Sequence, residues 1–125
     1  MTQHRWNTQD GFEVMSGWDR PLQHFFFQIS RRCPSCAGGG ESETGAECFS
    51  CGGRGDQYIF DNLDAHDKDP QATDIMGGMT ISQVRRALEK HLTAWPPQFL
   101  DSVGIDALNN TGNQIYTYDP VGTVK

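Results

Sequence analysis

Cys33, Cys36, Cys48 and Cys51 are the residues of this chain whose type and spacing could do chemistry. They sit in two copies of one pattern, C-x-x-C-x-G-x-G, read as "CPSCAGGG" from Cys33 and "CFSCGGRG" from Cys48. Thiolates at i and i+3 reach one metal ion from a single tight turn, and two such turns complete the tetrahedron that Zn²⁺ prefers. The glycines serve the same end. Behind each pair the backbone folds back through dihedrals open mainly to Gly, so that amide N–H groups point at sulfur. Four thiolates around one Zn²⁺ carry a net charge of about −2, which Arg31, Arg32 and Arg54 are placed to offset. These residues predict one structural zinc. An all-thiolate site leaves no open position for water, which argues against catalytic zinc.

Composition limits what surrounds the cluster. A chain of 125 residues makes one domain with a modest core. Hydrophobic residues at 36% exclude a fully disordered chain, while 14 glycines point to long irregular connections. A formal charge of −6 disfavours a general polyanion binder, whose affinity comes from Lys and Arg on phosphates. No apolar run approaches the roughly 20 residues of a membrane-spanning helix. The opening "MTQHRWNTQDGFEV" lacks the apolar stretch and cleavage site of a secretory signal, so a cytoplasmic location is expected. Cysteines stay reduced there, which favours a metal site over disulfides.

The elements that must position the cysteines can be read from periodicity. "FEVMSGW" and "LQHFFFQIS" alternate with period two around Asp19-Arg20-Pro21, which predicts a β-hairpin over residues 11–31. Phe12, Val14, Ser16 and Trp18 share one face of the first run; Phe25, Phe27 and Ile29 share one face of the second. Phe26 breaks the alternation and marks a strand covered on both sides. "DQYIFDNL", residues 56–63, reads as the next strand, so the cysteine segment 33–55 becomes the loop of a long hairpin. Residues 64–79 are acidic and rich in turn formers, as in a surface loop. The helical part, 80–104, starts on a capping box of Thr80 and Gln83, with Met79 and Val84 as its hydrophobic staple. Ile81, Val84, Leu88 and Leu92 then form one apolar face of a helix running to about Thr93. Pro96 and Pro97 end it, and Pro97 is placed to open a second short helix that Gly104 stops. Residues 109–125 are expected to be a weakly structured tail, with Ile115, Tyr116 and Tyr118 as a candidate strand.

Other candidate sites fail on spacing. His4, His24, His66 and His91 have no partners at motif spacing and read as structural, with His91 at a helix end where a cation suits the dipole. Asp61, Asp64, Asp67, Asp69 and Asp74 do not fit the EF-hand template and read as a solvated loop. Arg85, Arg86 and Lys90 form a small basic face interrupted by Glu89, with no nucleic-acid docking motif.

The segment Cys33 to Gly55 resembles the cysteine-rich zinc-binding region of DnaJ-type co-chaperones, whose motif is C-x-x-C-x-G-x-G. Those proteins carry four copies and two zinc ions. This chain has two copies, enough for one ion, and is more similar to small single-unit proteins such as the bacterial anti-TRAP regulator and the plant Rubisco-assembly factor of the bundle-sheath-defective type. That resemblance covers 23 residues and implies protein–protein binding. No His-Pro-Asp tripeptide occurs, so stimulation of an Hsp70 ATPase is not implied. "GWDRPLQHFF" also resembles strings in short bacterial proteins of mobile elements, and carries no functional implication.

Taken together, these readings predict a single small α+β domain. It comprises an antiparallel sheet of three or four strands, an inserted zinc-bound cysteine hairpin, and one or two packed helices. The expected function is non-enzymatic: a zinc-binding regulatory or adaptor protein that binds a protein partner, with homo-oligomer formation also expected of so small a unit. Two alternatives stay open. One is a zinc-ribbon-like nucleic-acid-binding protein. The other is a thiol-disulfide oxidoreductase or chaperone-like factor using Cys33 and Cys36, although the glycines after "CPSC" make a poor helix start.

Overall fold

In the computed structural model, which describes residues 1–33, 36, 39–41, 45–49, 53, 55–62, 73 and 78–125, the chain is α+β. Strands β1 (Thr2–Asn7), β2 (Glu13–Asp19), β3 (His24–Arg32), β4 (Asp56–Asp61) and β5 (Gln114–Thr117) form one sheet in the order β4-β3-β2-β1-β5. Helices α1 (Ile81–His91) and α2 (Phe99–Leu108) pack on one face of it.

The β2–β3 hairpin lies within the expected segment, pairing Val14 with Ile29 and Trp18 with Phe25. Its alternation is the reason: Val14, Ser16, Phe27 and Ile29 are all fully buried under the helices. Phe26, on the opposite face, is buried as well. β4 pairs antiparallel with β3, so the cysteine segment does connect two neighbouring strands. Gly17 lets β1 approach, because a Cβ there would stand 2.1 Å from the Thr2 carbonyl oxygen.

The sheet departs from the expected three or four antiparallel strands. It has five, and β5 runs parallel to β1. β1 went unpredicted because two of its three inward residues, Thr2 and His4, are polar; with Trp6 they are buried all the same. Residues 109–125 are held in place rather than loose. Beyond β5, Val121 N–H donates to Asn7 O at 3.1 Å, Thr93 N–H to Thr123 O at 2.9 Å and Lys125 N–H to His91 O at 2.9 Å. Val121 and Val124 also pack on the core.

α1 begins as its capping box requires. Gln83 N–H donates to Thr80 Oγ1 at 3.2 Å, and Thr80 N–H donates to Gln83 Oε1 at 2.8 Å. Val84, Ala87 and Leu88 are buried, and Leu92 follows as the C-cap. α2 does not stop at Gly104. It runs on to Leu108 and closes in a Schellman motif: Asn110 adopts φ 47°, its N–H donates to Ala107 O at 3.1 Å, and Thr111 N–H donates to Asp106 O at 2.9 Å. The acidic loop lies largely outside the described residues, including Asp64, His66, Asp67, Asp69 and Asp74.

Candidate metal centre

The cysteine hairpin grows from the ends of β3 and β4, where Arg32 pairs with Asp56. One residue further, Cys33 N–H donates to Gly55 O at 2.8 Å. At the far end the same geometry recurs with the repeats exchanged. Cys48 N–H donates to Gly40 O at 3.0 Å, and Glu41 bridges to Glu47. Thus the first cysteine of each repeat bonds the last glycine of the other, a local two-fold relation written in the duplicated sequence. The glycines make the crossing feasible. Gly40 and Gly53 have φ of 79° and 83°, and a Cβ on Gly40 would come within 2.4 Å of Gly53 O.

This crossing brings sulfur atoms from different turns together. The Sγ atoms of Cys33, Cys36 and Cys48 all lie within 4.8 Å of one another. Cys33 Sγ and Cys48 Sγ are 3.9 Å apart, far longer than a disulfide bond of about 2.05 Å. Zn–S bonds of about 2.3 Å in a tetrahedron separate the sulfurs by about 3.8 Å, so the spacing suits a shared ion. Gly40 N–H donates to Cys36 Sγ at 3.3 Å, the amide-to-sulfur bond that stabilises a thiolate ligand. Cys33 and Cys48 are buried and Cys36 is half-buried. The three cysteines form a group that could hold a metal ion. Cys51, the fourth expected ligand, lies outside the described residues, as does Arg54. Arg31 is engaged elsewhere: its guanidinium donates to Gln57 Oε1 at 2.9 and 3.1 Å and lies over the Phe12 ring.

Phe49, next to Cys48, was not singled out by its sequence position. Its relative exposure is 102%, while Cys48 beside it is 4% exposed. A fully exposed phenyl ring is a ready anchor for a partner.

The described histidines stand apart from this centre. His4 is fully buried under α2, where its Nε2–H donates to Asp106 Oδ2 at 2.6 Å. On its other side the Tyr118 hydroxyl donates to His4 Nδ1 at 2.8 Å, an assignment that follows from the network. Ser102 in turn hydrogen-bonds the Tyr118 hydroxyl. Burial raises the Tyr118 pKa above its ordinary 10.0 despite the Ser102 bond, with Asp106 and Tyr116 adding to the rise. Stacked on Tyr116 at 4.6 Å and set edge-on to Phe99 at 5.8 Å, the His4 ring is fixed on every side. Spacing along the chain could not reveal this partnership, because 102 positions separate His4 from Asp106.

His91 differs from the expectation of a helix-end cation. Burial first, and then the charge of Lys90, lower its pKa from 6.5. Its ring lies 5.2 Å from that of Phe60, in surroundings that disfavour charge.

Among the described residues, no helix is long and apolar enough to cross a membrane. The chain matches no family model, no curated protein and no solved structure.

Proposed function

We propose that the chain is a zinc-binding regulatory or adaptor protein, non-enzymatic, that works by binding another protein in the cytoplasm. One structural Zn²⁺ would be held by Cys33, Cys36, Cys48 and Cys51. The observation that carries the metal assignment is the convergence of Cys33, Cys36 and Cys48 sulfurs through the exchanged Cys–Gly bonds. The 3.9 Å pair of Cys33 and Cys48 sulfurs joins the two repeats, and Cys36 Sγ lies within 4.8 Å of both, which supports a metal clip. Zinc binding would fix the two turns against each other and hold Phe49 outward. Protein binding is supported by that exposed ring and by the resemblance of the motif to single-unit DnaJ-type zinc proteins. Mechanistically, such a protein acts by occupying a surface or supporting an assembly.

The test is an affinity capture from bacterial lysate with three baits: the native chain, the chelated chain and Phe49→Ser. A specific protein retained by the native chain alone, with zinc still bound to Phe49→Ser, is the expected result. Equal capture by all three baits, or salt-sensitive retention of nucleic acid in place of protein, would refute the reading.

A further inference from the structure

β5 is the outer strand at one end of the sheet, paired with β1 on one side and with no strand on the other. β5, β1 and α2 all lie within the described residues. The pairing with β1 decides which backbone groups of β5 are left over. Gln114 N–H donates to Met1 O at 3.4 Å and Tyr118 N–H to Arg5 O at 2.9 Å, so the even-numbered residues turn their amides toward β1. Alternation then turns the N–H and C=O groups of Ile115 and Thr117 outward. Such a row of donors and acceptors is what another strand recognises. The two edges of the sheet are guarded differently. β4, at the far end, carries Asp56 and Asp61. β5 has neither charge nor proline, keeps an unbroken register with β1, and leaves Ile115 69% exposed. Edge strands that face water are normally blunted by charge, proline or a bulge, so an unguarded one calls for a cover.

The strand's own pattern supplies the occupant. The outward groups at Ile115 and Thr117 are symmetric about Tyr116, so an antiparallel second copy, turned about an axis at Tyr116, sets Ile115 of each copy against Thr117 of the other. Each such pair exchanges both N–H···O bonds. Ile115 and Thr117 align with Gln3 and Arg5, on the sheet face away from α2, so the match keeps like faces together. On the helix side the two Tyr116 residues meet across the axis as a non-hydrogen-bonded pair, whose side chains come closest. Ile105 of α2 is 55% exposed and lies one turn beyond Ser102, which bonds Tyr118; it adds apolar surface along that side. Charge fits as well. One step past the strand ends, Asp119 falls opposite Asn113 of the other copy. Gly112, beside that asparagine, lies against Arg20, whose Nη1 would be 3.4 Å from a Cβ on Gly112. Neither Asp119 nor Arg20 has an ion-pair partner among the described residues, so the junction brings opposite charges together at each end.

We infer that two copies of the chain join through β5, antiparallel and in the register centred on Tyr116, to form one continuous sheet. The cysteine hairpin springs from β3 and β4, toward the other end of the sheet, so the joint leaves it uncovered and does not depend on the metal assignment.

The test is sedimentation equilibrium of the full chain over a range of concentrations at physiological ionic strength, paired with amide hydrogen exchange. A dimer is expected, with the Ile115 and Thr117 amides protected in it and exchanging freely after dilution to monomer. Thr117→Pro removes an outward N–H that β1 does not use, so the fold should persist while dimerisation weakens by roughly 10-fold or more. Ile115→Lys should act in the same direction by charging the edge, whereas Ile59→Lys on β4 should leave the dimer unchanged. A chain that stays monomeric at millimolar concentration, a dimer indifferent to both β5 variants, or a dimer whose Ile115 and Thr117 amides exchange freely would overturn the proposal. Protection of those amides only on addition of an unrelated extended peptide would assign the edge to a foreign strand and overturn it equally. The exchange pattern of the native chain decides the matter even if a variant does not fold.

Discussion

His4→Leu isolates the energetic weight of the buried histidine. His4 is fully buried and Asp106 is 6% exposed, so the substitution leaves the Asp106 carboxylate without its 2.6 Å donor and far from water. It also strips the Tyr118 hydroxyl of its acceptor. Removing one member of a buried pair costs about 3–5 kcal/mol. Small domains have total stabilities of only about 5–15 kcal/mol, so the variant should stand close to unfolding at moderate denaturant. A loss of that size lowers the melting temperature by roughly 10–20 °C. Urea unfolding followed by tryptophan fluorescence reads it, because Trp6 and Trp18 are both buried in the fold. The double variant His4→Leu/Asp106→Leu is the control. Replacing both polar groups by apolar ones should recover about 2 kcal/mol or more of the single loss, since a buried hydrogen-bonded pair exchanged for hydrophobic residues is often close to neutral. If the double variant is as unstable as the sum of the two singles, His4 and Asp106 are not coupled, and the reasoning from burial and distance fails.

Further outcomes follow from the same structure. His91 has a folded pKa below its unfolded 6.5, so between those values the unfolded chain binds more protons; stability should rise with pH through this window and fall as pH drops below about 6.5. In His91→Gln that slope should flatten, as read by urea midpoints at several pH values. Gly40→Ala would force a Cβ onto Gly53 O at a backbone φ of 79°, so it should lose zinc affinity while the far-ultraviolet dichroism of the sheet and helices stays native. Thr80→Ala should cost about 1 kcal/mol through loss of the cap to Gln83 N–H, measurable by chemical denaturation.

The parts of this fold that were legible in the sequence are those whose pattern is local. Val14 and Ser16 facing Phe27 and Ile29 announce a hairpin by alternation, and Thr80 with Gln83 announces a helix start by two reciprocal bonds. β1 hides because its buried face is Thr2, His4 and Trp6, and the polar members are stabilised by groups more than a hundred residues away or on another strand. β5 shows only in part: Ile115 and Tyr116 of the candidate strand lie in it, whereas Tyr118 falls beyond its end. All four of its residues are exposed, so no buried face with period two marks its bounds or its partner. The extension of α2 past Gly104 reflects tertiary packing of Asp106, together with a cap at Asn110 that overrides the weak helix propensity of glycine. At the metal centre the ligand types and the need for glycine could be read directly. The exchange of hydrogen bonds between repeats could not, because it depends on how the two turns meet in space.

Native mass spectrometry of the chain, purified without added metal, tests the central claim most directly. The account predicts one zinc ion per chain in the folded protein and none in Cys48→Ser. A folded native chain that carries no zinc, or a Cys48→Ser variant that retains it with unchanged melting, would contradict the account.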